Sequence, residues 1–203
     1  MRRNPPPLEL LAAPVLAGRR FRGEPIYFSD VIVRTESPLR SFADLRGASW
    51  SYNDPQSHSG YNVTRYHLLR MGETRGFFGR VVQAGSHQRS IRLVAAGEVD
   101  ASAIDCQVLA VELREHPGLA RQLRVIDALG PSTIQPVVAA RSLGADVKAA
   151  LHGALLGLGD DPDAREALAL GLVERFVAVK DARYDDIRHM LDAVEAAGST
   201  VLM

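Results

Sequence analysis

The sequence predicts an α/β fold in two lobes, with mixed sheets flanked by helices, and three observations predict it. The alternating stretch Ala48-Ser49-Trp50-Ser51-Tyr52 runs into a polar loop and then a helix, whose Tyr61, Thr64, Leu68 and Met71 fall at helical spacing. The same order recurs at residues 81–95, where an apolar run ends at Gly85 and a Ser86-His87 pair opens a helix with Ile91, Val94 and Ala95 on its inner face. Finally, Gly130-Pro131 separates two extended runs without the short polar turn of a hairpin, as a crossing between lobes would.

Taken in order, the chain begins Met1-Arg2-Arg3, and an apolar run at residues 8–18 gives it a superficial look of a signal peptide. Pro5, Pro6, Pro7, Pro14 and Glu9 interrupt that run, so it is read as an extended segment or short strand of the folded body, with no convincing export signal. Ile26, Phe28, Val31, Ile32 and Val33 make the next strand, bounded by Pro25 and by Ser37-Pro38. Residues 41–47 predict one helical turn with Ser41 as N-cap, delivering the chain into the Trp50 strand. Gly97 ends the helix after His87, and residues 98–105 read as a strand whose last residue, Asp105, emerges at the carboxyl edge of the sheet.

Residues 107–115 then predict a helix, His116-Pro117-Gly118 a turn, and residues 124–127 a strand that Leu129-Gly130-Pro131-Ser132 breaks before an extended run resumes to Ala140. The remaining third is helical and structural. Val147, Leu151, Leu155 and Leu158 form one apolar face, Asp161-Pro162 starts a further helix, residues 174–179 read as a short strand, and Tyr184, Ile187, Leu191 and Val194 form the last face. His152 and His189 sit on helices without ligand-type spacing and are read as ordinary histidines. The expected lobe boundaries are residues 1–48 and 130–203 for lobe I and residues 49–129 for lobe II.

Composition narrows the function. In 203 residues, 46% are hydrophobic, enough for a packed core, and Lys plus Arg equals Asp plus Glu at 24 each. No general attraction to nucleic acid or to an anionic membrane follows from that balance, so any anion binding must be local. No stretch approaches the roughly 18 apolar residues of a membrane span. The single cysteine, Cys106, cannot form an internal disulfide and reads as an inert core thiol.

The candidate site is the loop Asn53-Asp54-Pro55-Gln56-Ser57-His58-Ser59-Gly60-Tyr61-Asn62. At a helix start the first backbone N–H groups have no intrahelical partners and the dipole's positive end points outward. Hydroxyls and imidazoles from Ser57, His58 and Ser59 therefore converge where an anion is favoured, and Gly60 lets another backbone approach. With His87 at a second Ser-His helix start and Asp105 at a strand end, the set is expected to face one crevice at the carboxyl edge of the sheet. The plainer alternative is that Ser59 is only an N-cap and Asp54-Pro55 only a turn. A metal site from His58, His87, Asp105 and Cys106 is the other alternative, although none of these has a recognised ligand spacing. No G-x-S-x-G elbow, Walker A sequence, G-x-G-x-x-G after a strand or H-E-x-x-H occurs.

Five stretches in order carry a family resemblance. They are Tyr27-Phe28-Ser29-Asp30-Val31-Ile32-Val33 with Ser37-Pro38; Asp44-Leu45-Arg46-Gly47; Ser57-His58-Ser59-Gly60-Tyr61; Phe77-Phe78 with Gly85-Ser86-His87; and Val99-Asp100-Ala101 through Ile104-Asp105. Together they resemble the phosphate, phosphite and phosphonate substrate-binding proteins of ABC transporters, the PhnD-like family, over about residues 10–191. The resemblance implies a two-lobed type II periplasmic-binding-protein fold that closes over a small oxyanion by hinge bending, with no cofactor or metal and with ABC permease subunits as partners. It implies phosphonyl contacts from Ser57, His58, Ser59, His87 and Tyr27, with Asp105 toward the organic end of the ligand. His58 stands where the family often has threonine, which predicts an added positive charge or a wider ligand choice. The first strand–helix–strand portion of lobe I, about seventy residues at usual domain sizes, is expected to be absent from the chain. A periplasmic location is implied by the resemblance and a cytoplasmic one is left open by the amino terminus. Three functions follow: a transport receptor for a small phosphorus oxyanion, an enzyme on the same fold acting on a small anionic or pyrimidine-like ligand, or a soluble sensor or remnant without transport.

Overall fold

The computed structural model describes residues 7–73, 75–198 and 202. Contacts divide the chain into two compact units, one running up to Tyr27 and resuming over Ser132–Asp185, the other holding Phe28–Pro131 and the chain from Asp186 onward. Elements are numbered below in chain order.

The first unit is built on a three-stranded antiparallel sheet in which β1 (Leu8–Leu16) lies between β7 (Val137–Ala140) and β8 (Val173–Val177). The proline-containing amino-terminal run is thus a strand. Its pairing with β7 ends at Ala12, so the N–H that Pro14 lacks removes no bond on that side, and Pro14 is paired only toward Phe176 of β8. Two helices, α5 (Ala145–Gly157) and α6 (Pro162–Leu170), complete this unit, and Asp161 caps α6 by accepting from the Asp163 N–H at 2.9 Å. The His152 ring bonds through Nδ1 to the Leu11 carbonyl at 2.6 Å, a structural role.

The second unit contains a five-stranded mixed sheet of order β4-β3-β5-β2-β6: β2 (Ile26–Arg34), β3 (Ser49–Tyr52), β4 (Arg80–Gln83), β5 (Ala101–Asp105) and β6 (Leu123–Thr133). β3 runs parallel to both β4 and β5, whereas β2 runs antiparallel to β5. The period of two divides the core cleanly. Val31, Val33, Trp50, Ala101 and Ala103 face one side, under α1 (Val63–Arg70) and α7 (Asp185–Ala196), with Phe42, Phe77 and Phe78 packed among them. Ile32 and Ile104 face the other, under α2 (His87–Ala95), α3 (Cys106–Glu115) and α4 (Pro117–Gln122), through Ile91, Val94, Leu109 and Leu119.

Four expectations need correction. β6 runs unbroken through Gly130-Pro131; it is an edge strand, the place in a sheet where a proline is tolerated. Residues 98–100 lie outside β5, which starts at Ala101. The turn expected at residues 41–47 is a 3-10 turn at Ala43–Leu45 that Ser41 does not cap; the Asp44 carboxylate instead accepts from the Arg40 and Ser41 N–H groups at 2.8 and 2.9 Å. The first change of unit also falls at Tyr27–Phe28 rather than at residue 48, because most of β2 pairs with β5 and so joins the sheet of the second unit; the next falls at Pro131–Ser132.

Candidate functional site

Parallel strands deliver their following segments to one edge of a sheet. β3, β4 and β5 end at Tyr52, Gln83 and Asp105; the chain beyond β3 and the chain beyond β4 meet in one cluster within the second unit, and β5 packs against the turn that follows β3. The first two loops are tied by backbone bonds: the Ala84 N–H donates to the Tyr52 carbonyl at 2.7 Å and the Gly85 N–H to the Asn53 carbonyl at 2.9 Å. Ser57 and Ser86, each on extended backbone, then cap the two helix starts. The Ser57 hydroxyl accepts from the Gly60 N–H at 3.1 Å, and the Ser86 hydroxyl accepts from the Arg89 N–H at 3.1 Å.

Capping by Ser57 releases Ser59. The plainer sequence reading made Ser59 the cap, but it sits one residue inside the turn and its Oγ lies 2.9 Å from His87 Nε2, joining the two helix starts. Ser57 Oγ lies 3.5 Å from Ser59 Oγ, at the long limit of a hydrogen bond. The turn itself, His58–Asn62, is a π-helix leading into α1, where sequence spacing predicted only an α-helix. Such wide turns recur at functional sites.

Gly60 is required by crowding. A Cβ there would stand 1.8 Å from Asn53 Oδ1 and 3.2 Å from His87 Cε1, so side chains, rather than the backbone expected from the sequence, close on it. Asn53 also places Nδ2 3.5 Å from His87 Nε2. The sequence reading placed Asn53 in the candidate loop without giving it a role; its position directly after β3, beside a paired strand end, was the available signal.

The electrostatics are those of a neutral cradle. Burial holds both His58 and His87 down to about 4, opposed for His58 by the carboxylate of Asp186. His58 therefore adds no positive charge near neutral pH, correcting the sequence expectation; its Nδ1 lies 3.4 Å from Asn62 Nδ2. The buried Arg65 on α1 is turned to the Tyr61 ring, 5.3 Å from its centroid, and feels the charge of Glu195. Among the described residues, Asn53 Oδ1, Asn62 Oδ1 and His87 Nδ1 are buried without a hydrogen-bond partner.

The remaining predicted residues fall as follows. Asp105 stands at the end of β5, against which the π-helix packs, and its carboxylate caps α3 by accepting from the Gln107 and Val108 N–H groups at 2.9 and 3.4 Å. Tyr27 belongs to the first unit and is buried there. Cys106 is buried, its sulfur accepting from the Phe28 N–H at 3.4 Å. Among the described residues, no group of three or more His, Cys, Asp or Glu is placed to hold a metal ion, and no helix is long and apolar enough to cross a membrane.

The two half-buried histidines make acid a test of this arrangement. In the unfolded chain they titrate near 6.5, in the fold near 4, so between these values the unfolded state binds more protons and stability falls as pH falls. The denaturant midpoint is expected to drop on going from pH 7 to pH 5, and a His58→Gln, His87→Gln double variant should show a shallower drop. An equal drop in both proteins would contradict half-buried, neutral rings.

The fold, a mixed α/β chain with two sheets flanked by helices, is of the type II periplasmic-binding-protein class, as its likeness to solved structures shows. The family described as ABC transporter, phosphonate, periplasmic substrate-binding protein matches residues 7–184, and the chain belongs to that family. The phosphonates-binding periplasmic protein of Escherichia coli (strain K12) is 26% identical over 151 residues, which are 72% of this chain and 44% of that protein. The chain thus spans less than half the length of this curated relative. Among solved structures, a binding protein component of an ABC phosphonate transporter from Pseudomonas aeruginosa superposes with a TM-score of 0.82 at 24% identity, covering 96% of this chain and 65% of that one. PhnD1 from Prochlorococcus marinus (MIT 9301), solved in complex with methylphosphonate, gives a TM-score of 0.75 at 20% identity, covering 91% and 72%.

Proposed function

We propose that this chain is the substrate-binding component of an ABC transporter and captures a small phosphorus oxyanion, a phosphonate, phosphite or phosphate. The two compact units correspond to the two lobes of the family, the location is periplasmic, and the partners beyond the ligand are permease subunits. Binding without turnover is the whole of its chemistry. The observation that carries the proposal is the 2.9 Å link between Ser59 Oγ and His87 Nε2, which gathers two hydroxyl-capped helix starts at one point. Ser57, Ser59, the first-turn N–H groups of both helices and His87 hold the oxyanion, His58 and Gly60 shape the turn, and Asp105 lies toward the organic substituent. The solved relative with methylphosphonate supports the ligand class.

Calorimetric titration with methylphosphonate, phosphite, phosphate and sulfate tests it. Phosphorus oxyanions are expected to bind, with Ser59→Ala and His87→Ala each weakening binding by about 1–3 kcal/mol, since each removes a hydrogen bond to a charged group. Absence of binding across the panel, or unchanged affinity in both variants, would overturn the proposal.

A further inference from the structure

We infer that His87 becomes an imidazolium when a doubly charged oxyanion enters the cradle, so that the bound state is an imidazolium–oxyanion pair. The inference rests on the oxyanion-binding function proposed above and specifies the charge state of that site.

The hydrogen-bonding inventory of the ring leads to it. A neutral imidazole has one N–H and one lone pair. Nε2 of His87 meets Ser59 Oγ at 2.9 Å, and Nδ1 is buried without a partner. If the Ser59 O–H donates to Nε2, it is lost as a donor to an anion, and the ring's only proton sits on buried Nδ1. If Nε2–H donates to Ser59 Oγ, the hydroxyl is free to donate, but Nδ1 presents a lone pair. The Nε2–H tautomer and the imidazolium both leave the Ser59 hydroxyl free to donate to the ligand, and only the imidazolium, with no lone pair left on either nitrogen, also sets a positive charge beside it.

The surroundings leave the ligand as the source of the opposing charge. The groups against the ring are Ser59 and Gly60 from the π-helix and Asn53 from the end of β3, all uncharged. Of the titratable residues on neighbouring segments, Asp54 accepts from the Gln56 N–H, Asp105 caps α3, His58 is half-buried and held neutral, and Arg89 on α2 is exposed. None of them shifts the ring, whose depressed affinity for a proton has burial as its sole cause. An adjacent opposite charge raises a titrating group by about 1–3 units, and a dianion brings two charges. The proton comes from solvent, or from the ligand when it enters as the hydrogen oxyanion; the ligand oxygen then keeps the O–H bonding pair and the imidazole lone pair forms the new N–H bond.

Ring ¹⁵N NMR of uniformly ¹⁵N-labelled protein at pH 7 reads this state directly, with His87→Gln used to assign the His87 signals. In the free protein the two His87 ring nitrogens are expected to differ widely, as in a neutral tautomer. On saturation with methylphosphonate, followed through the backbone amides of residues 57–60, both are expected to move to the imidazolium position. Saturation with the ring still neutral would overturn the inference and leave the binding function standing. No change at the cradle amides would overturn both.

Discussion

Replacing Trp50 with alanine is expected to be the most destabilising single substitution in the second unit, lowering stability by about 3–5 kcal/mol. Trp50 is 0% exposed on β3, an interior strand of the five-stranded sheet flanked by β4 and β5. Its ring stacks on Phe78 at 4.6 Å between centroids and meets Phe42 edge-on at 6.0 Å. Domains are held by only about 5–15 kcal/mol, so the variant should unfold at markedly lower denaturant. Trp50→Phe provides the contrast: it keeps an aromatic ring and removes Nε1, a buried donor without a partner, so it should lose much less. Similar denaturant midpoints for Trp50→Ala and the unsubstituted protein would show that the core does not depend on this cluster.

Gly60→Ala is expected to do the greatest damage to the site. The new methyl would meet Asn53 Oδ1 at 1.8 Å and crowd His87 Cε1 at 3.2 Å, so Asn53 must move and the loop joining the two helix starts must open. Overpacking of this kind costs about 1–3 kcal/mol, and oxyanion binding should fall beyond detection because the Ser59–His87 link goes with it. Asn53→Ala in the Gly60→Ala background vacates the space and should recover most of the lost stability. If Gly60→Ala binds normally, or if the second substitution recovers nothing, the crowding at Gly60 is not what fixes the loop.

Much of this was legible in the sequence because hydrophobic period and cap chemistry act locally. Trp50 alternating with Ser49 and Ser51, Ser86 before His87 and Asp161 before Pro162 each report a boundary through their immediate neighbours, and each boundary is where the spacing puts it. What was not legible depended on partners distant in sequence. Pro131 looks like a strand breaker until β6 is known to be an edge strand. Ser59 looks like a cap until Ser57 is seen to take that bond and His87, 28 residues away, to take the Ser59 hydroxyl. Asn53 carries no motif; only the meeting of two strand ends brings it against Gly60 and His87. The charge of His58 was misjudged for the same reason, since burial is a tertiary property.

The central claim is that two helix starts act as one anion site through Ser59 and His87, and a double-mutant cycle on methylphosphonate binding tests it most directly. Affinities would be measured calorimetrically for the unsubstituted protein, Ser59→Ala, His87→Ala and the double variant. Groups sharing one network are expected to show a coupling of about 0.5–3 kcal/mol, so the double variant should lose clearly less than the sum of the single losses. Strictly additive losses would mean two independent contacts, and no loss at all would mean that the oxyanion binds elsewhere.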